Sequence, residues 1–190
     1  MAYRLLENID EKILDAVIKI GAKDGAKNVT ARKIAKVCDI STFTVFEHFK
    51  SKTGYLFAAA KRFDTYYMNM LPELSTMGNN KFEIWTYMQN CFLSDPDSTL
   101  YYISYINDYG FDPTSKNPRE SEFMEAAKCF LGDVDKLSND QILIIWDYVT
   151  TMAFYYAEKI IQGYLRLDDN LRKFIFDLVF EGVNNLNKPQ

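Results

Sequence analysis

Helical periodicity, unbroken by any strand-like alternation, is the strongest constraint on what this 190-residue chain can fold into. Apolar residues recur three and four apart along nearly its whole length, and no run alternates apolar with polar side chains as a half-buried strand does. Ile9, Ile13, Ala16, Val17 and Ile20 define a first helix, and Gly25 is suited to end it in a left-handed cap. Thr30 can cap a second helix, "ARKIAKV", because its hydroxyl accepts a backbone N–H left free at a helix start. Ser41 can do the same for a third, "TFTVFEHF", after the tight turn "CDI". A fourth begins near Thr53 and runs to Pro72, and others are expected near 80–94, 97–109, 119–136, 138–165 and 168–187. Turn-rich breaks separate them. The expected fold is all-α.

Charge narrows the question of partners. The net charge of -4 does not by itself suggest nucleic acid, but it is unevenly spread. Residues 1–52 hold ten Lys/Arg against seven Asp/Glu, net +3, and the remainder holds twelve against nineteen, net -7. Only the N-terminal quarter is suited to meet an anion. Cys38, Cys91 and Cys129 form no CxxC pair and read as small core residues in a reducing cytoplasm. Charged residues interrupt the first twenty positions, so no signal peptide is expected. Asp147 and Glu158 interrupt the most apolar stretch, "ILIIWDYVTTMAFYYAEKI", which reads as a buried interface helix and not a membrane span.

Signals for catalysis are weak. Tyr155 and Lys159 make a Y-x-x-x-K spacing, but the strand and glycine-rich phosphate turn that a dehydrogenase needs are missing. His48 is the one histidine and has no clustered cysteine beside it, which argues against a metal site. The expectation is a cytoplasmic protein that is not an enzyme and needs no cofactor, metal or membrane.

Two short helices joined by a tight turn, with another helix behind them, describe a helix-turn-helix. Ala35 is small where the pair would cross. The third helix would then offer Thr42, Phe43, Thr44, Phe46 and Glu47 outward. A threonine hydroxyl can bond a base or phosphate, and its methyl or the Phe43 ring can touch a thymine methyl. Arg32, Lys33 and Lys52 would hold phosphates and fix the register, and Thr30 and Ser41 join the candidate set at the two helix starts.

The run "ILDAVIKIGAKDGAKNVTARKIAKVCDISTFTVFEHFKSKTGYLFAAA" resembles the N-terminal domain of the tetracycline-repressor (TetR) family of regulators. The likeness covers about residues 9–60. It is carried by "ILDA", Gly25, "T-x-R-x-IA", "IS" and "FxHFKSK" in family order and spacing. The resemblance implies a nine-helix fold and a homodimer joined by the last two helices. It also implies a C-terminal domain whose ligand lowers DNA affinity. By position, Arg32 matches a DNA-contacting residue of the second helix, and Thr42, Phe43 and Thr44 match the start of the reader helix. Lys52 matches a phosphate-binding lysine, and His48 a frequent aromatic or phosphate-contacting place. Phe46 stands where the family usually has Tyr, so a phenol–phosphate bond is lost. Asp39 replaces the usual turn glycine, and aspartate tolerates left-handed geometry. Gly21 replaces a core aromatic and leaves space, which gives Phe43 two possible fates: reading DNA or folding back to fill the gap. Glu47 adds negative charge near phosphates.

The domains expected are residues 1–52 for DNA and residues 53–190 for ligand binding and dimerisation. Aromatic residues are abundant in the second, and many are Tyr, whose hydroxyl needs a partner when buried. Phe63, Tyr67, Trp85, Tyr102, Tyr105, Trp146 and Tyr155 are the candidates to line a site for a small apolar, aromatic or cationic ligand. The last two helices carry the stripes Ile142, Ile145, Val149, Met152 and Leu171, Phe174, Leu178, Val179, assigned to a four-helix interface with a second copy. The resulting expectation is a homodimeric, ligand-responsive repressor on a pseudo-palindromic DNA operator. The alternatives are an activator, a regulator controlled by a partner protein, and a helical binding module without DNA activity.

Overall fold

The computed structural model describes residues 2–77, 80–110, 120–132 and 137–186. The elements in order are α1 (Ala2–Asp24), a 3-10 turn (Ala26–Asn28), α2 (Ala31–Cys38), α3 (Thr42–Phe49), α4 (Lys52–Thr76), α5 (Lys81–Ser94), α6 (Pro96–Tyr109), α7 (Glu120–Leu131), α8 (Asn139–Ile161) and α9 (Asp169–Leu186). The fold is all-α, and no strand occurs among the described residues. α4 runs past Pro72 to Thr76. α8 stops short of residue 165, because Gly163 turns the chain with φ 77°. The helix expected over 119–136 ends at Leu131, and residues 133–136 lie outside the described part.

Packing divides the chain into two compact units, Met1–Tyr66 with Asp95–Thr114, and Tyr67–Ser94 with Ser115–Gln190. In the first, Ile13, Val17, Ile34, Val45 and Leu56 are buried from four different helices. α6 lies along α1, and Tyr101 is the reason it can come close. A Cβ on Gly21 would sit 2.3 Å from the Tyr101 ring, so glycine opens the groove that the ring fills. The Tyr101 hydroxyl donates to the Leu56 carbonyl at 2.7 Å, which ties α6 to α4 as well. Burial pushes this phenol's pKa up. Phe63 stacks on Tyr102 at 4.4 Å, and the Tyr102 hydroxyl donates to the Asp64 carboxylate. Tyr105 stacks between Tyr101 and Tyr109.

In the second unit the core is aromatic. Trp85, Phe92, Phe130 and Trp146 are fully buried. Four residues assigned from sequence to a dimer interface belong to this core instead. Val149 and Val179 are 0% and 1% exposed within the single chain, and Ile142 and Ile145 are also buried, so a second copy cannot reach them. Outward apolar residues include Ile144 and Tyr148 on α8 and Phe174 and Leu178 on α9, each pair one turn apart. Met152 and Leu171 are half-buried. The helical period placed these stripes correctly on the helices but not which side faced the chain's own core. Tyr155 is half-exposed, with the Lys159 ammonium 5.3 Å from its ring centre. An open groove of about 600 Å³ is lined by Phe82, Thr86, Asn90, Asp169, Arg172 and Lys173. Arg172 spans it, donating to the Thr86 carbonyl and the Asn90 side chain.

Candidate nucleic-acid interface

The recognition pair is held by caps at both helix starts. Thr30 Oγ1 accepts from the Lys33 amide at 3.3 Å, and Ser41 Oγ from the Thr44 amide at 3.0 Å. Each satisfies a backbone donor that the first helical turn leaves over. Between them Asp39 takes the left-handed conformation, φ 53° and ψ 50°, so the turn forms without glycine. Ile34, Ala35, Cys38 and Val45 are buried, and they lock α2 and α3 onto α1 and α4. Tyr55 is buried too, and its hydroxyl meets the backbone at Ala31, where α2 begins. α3 closes onto α4 tightly: a Cβ on Gly54 would sit 2.1 Å from the Phe49 carbonyl oxygen.

What this packing leaves outside is the start of α3. Thr42, Phe43, Phe46 and Glu47 are exposed, Phe43 to 73%, and Thr44 is half-buried. Phe43 therefore does not fold back toward Gly21; Tyr101 has taken that space. A bare phenylalanine at the start of a short helix loses contact energy unless something covers it. Arg32 is exposed beside this face, with no ion pair among the described residues.

The other candidate cations, Lys33 and Lys52, and the histidine are engaged within the chain. Lys33 pairs with Asp24 at 2.6 Å, which holds that carboxyl below its usual pKa. Lys52 Nζ donates to the Lys27 carbonyl at 2.6 Å. His48 Nδ1 lies 2.6 Å from Asp10, so the ring faces α1. Lys50 donates to the Glu47 carbonyl. These contacts are exposed, and such pairs contribute little and yield to competing charge. Val37 is 59% exposed on α2, a feature the sequence reading missed. It lies off the buried stripe Ala31, Ile34, Ala35 and Cys38, which is the signal that reveals it.

Residues 13–59 match the family model for bacterial regulatory proteins of the tetR family. This segment is a TetR-family domain. Its helix-turn-helix is the part just described. Solved structures extend the likeness in fold to the whole chain. A TetR family transcription regulator from Marinobacter aquaeolei superimposes with a TM-score of 0.70 at 16% identity, covering 95% of this chain and 97% of that one. A TetR-family transcriptional regulator from Haemophilus influenzae gives 0.61 at 18% identity, covering 93% and 97%. FadR from Bacillus subtilis, in complex with stearoyl-CoA, gives 0.62 at 13% identity, covering 90% and 98%. No curated protein sequence matches the chain. The matched segment ends inside α4, which continues to Thr76.

Proposed function

We propose that the chain is a ligand-responsive transcriptional repressor that binds a pseudo-palindromic operator as a homodimer. Residues 1–52 serve as the DNA-binding part and residues 53–190 as the ligand-binding and dimerisation part. The observation that carries the reading is the exposed start of α3, Thr42 and Phe43, and an exposed Arg32 with no ion pair among the described residues, inside a TetR-family domain. In this reading α3 enters the major groove, Thr42 and Phe43 meet base edges, and Arg32 and Lys52 hold phosphates. Ile144, Tyr148, Phe174 and Leu178 supply apolar surface for a second copy, and two-fold symmetry gives the operator its two half-sites. The stearoyl-CoA complex of FadR supports a ligand for the second unit here. α4 provides the connection, since it starts at Lys52 and carries Tyr67. A ligand that favours one position of α4 changes operator affinity by that difference and no more.

Retention of genomic DNA fragments on the purified protein, followed by sequencing, identifies the operator. On operator and random duplexes, Arg32→Ala should weaken binding to both equally and reduce the salt dependence. Thr42→Ala should cost ~1–3 kcal/mol on the operator and much less on random DNA. Equal losses for Thr42→Ala on both duplexes would refute base reading, and no retained fragment at all would refute the DNA-binding function.

A further inference from the structure

The second unit contains a polar side chain that its core leaves unsatisfied. Gln89, on α5, is fully buried, and neither its carboxamide oxygen nor its nitrogen has a hydrogen-bond partner among the described residues. Trp85, one turn earlier, is equally buried, and its indole N–H is also unpartnered. Groups in this condition are rare because they lose their hydration and gain nothing in exchange. A core that needed only volume here would be served by leucine or methionine.

The neighbours indicate what would satisfy them. Trp85, Gln89 and Phe92 share one stripe of α5 by their spacing. Ring contacts leave both ends of that stripe and meet across the unit. From Trp85 they pass edge-on to Phe180 at 6.3 Å, to Phe130 at 5.2 Å and to Trp146 at 5.4 Å. From Phe92 they pass to Tyr67 at 6.0 Å, whose hydroxyl lies beside the Trp146 indole. Gln89 thus stands on the α5 arc of a closed aromatic circuit. None of the circuit's residues is charged, and Asp147, next to Trp146, is exposed. An ion brought to Gln89 would lose its hydration, and no member of the circuit carries a charge to offset that.

We propose that Gln89 and Trp85 are the polar anchor of a ligand site, and that the ligand is a flat, uncharged molecule with adjacent donor and acceptor, as in an amide or lactam. A carboxamide presents C=O and N–H₂ side by side, so it can pair with such a group through two opposed N–H···O bonds. The Trp85 N–H supplies a further donor, and the aromatic circuit supplies faces for the ligand ring. The proposal rests on the ligand-responsive reading above and narrows its ligand from apolar, aromatic or cationic to neutral and hydrogen-bonding.

The test uses the full chain, first without DNA and then on the operator. Benzamide and 2-quinolone are titrated beside benzoate and naphthalene, and Trp fluorescence and melting temperature are read. The amide and the lactam should bind about tenfold or more tightly than the charged and the apolar controls, because a site built for a hydrogen bond rejects analogues that lack it. Gln89→Leu and Trp85→Phe should each remove that preference. The ligand-free Gln89→Leu protein should melt no lower than wild type, since it loses an unsatisfied group. A much lower melting temperature for Gln89→Leu and Gln89→Met would overturn the proposal, because the carboxamide would then already be satisfied. Equal affinity for benzamide and its controls would also overturn it. If the amides bind through Gln89 but leave operator affinity unchanged, the site stands and the ligand-responsive reading fails.

Discussion

Gly21→Ala tests whether the contact between α1 and α6 is as close as the geometry requires. The added Cβ would lie 2.3 Å and 2.8 Å from two carbons of the Tyr101 ring. Ordinary carbon contacts are about 3.5–4.0 Å, so the ring must retreat by roughly 1 Å. It has little room, because Tyr101 is fully buried and its hydroxyl is fixed on the Leu56 carbonyl at 2.7 Å. A retreat of that size stretches the bond past the useful limit of about 3.2 Å. Overpacking costs about 1–3 kcal/mol. A buried hydrogen bond broken on one side costs a similar ~1–3 kcal/mol. Alanine recovers about 1 kcal/mol of helix propensity relative to glycine. The net expectation is a loss of about 1–5 kcal/mol, which for a chain of this size lowers the melting temperature by roughly 2–20 °C.

Urea unfolding of four proteins separates the causes: wild type, Gly21→Ala, Tyr101→Ala, and the double variant. In the Tyr101→Ala background the clash is gone, so alanine at position 21 should stabilise by up to about 1 kcal/mol. The sign of the Gly21→Ala effect therefore inverts between backgrounds. If Gly21→Ala is neutral or stabilising in the wild-type background, the argument for a glycine-made groove is wrong.

Phe174→Glu should give a folded monomer with weak operator binding, because Phe174 is 65% exposed in the single chain, whereas Val179→Glu should unfold it. Sedimentation and circular dichroism distinguish the two, and a Phe174→Glu dimer would remove α9 from the interface. Asp64 has its pKa raised by burial, partly offset by the Tyr102 hydroxyl. The native state therefore holds this proton to higher pH than the unfolded chain, and its contribution to stability is lost as pH rises from 3.8 through the raised value. Asp64→Asn should flatten that part of the stability curve, and a steeper fall in the variant would contradict the assignment. Ser104→Ala should cost ~1–3 kcal/mol in urea unfolding, since its hydroxyl accepts the Ala26 amide at 2.8 Å and Ala26 is fully buried. Asp108→Asn should cost less than about 1 kcal/mol, because its bond to the Lys27 amide is exposed.

The helices and the recognition pair were legible in the sequence because their signals are local. Thr30 and Ser41 cap the helices they were assigned to, and Asp39 takes the turn conformation that its short polar side chain allows. What a helical period cannot tell is which of two apolar stripes meets the chain's own core. α8 carries apolar residues on both sides, so Ile142, Ile145 and Val149 were assigned to a partner although the structure buries them. The fate of Phe43 was open for a related reason. Gly21 announces a gap, but the residue that fills it, Tyr101, is eighty positions away. Gln89 was invisible, because one glutamine on an amphipathic helix gives no sign of being buried until the packing is known.

The short segment between α1 and α2 brings these long-range effects to the recognition pair. Ala26 donates its amide to Ser104 of α6, and Lys27 donates its own to Asp108 one turn later. The Lys27 carbonyl accepts from Lys52 at the start of α4. Three side chains from two helices, α6 and α4, therefore meet the backbone of two residues. Backbone groups are fixed points that no sequence motif advertises, yet they set where α2 starts and so where α3 points. Bonds to partly exposed groups can exchange for water or for a phosphate at small cost, whereas the buried contact of Tyr101 with Gly21 cannot. The first unit thus combines a rigid seam between α1 and α6 with an exchangeable polar junction beside the reader helix. If Lys52 holds a phosphate as proposed, it can release the Lys27 carbonyl without disturbing the core that holds α3 in position.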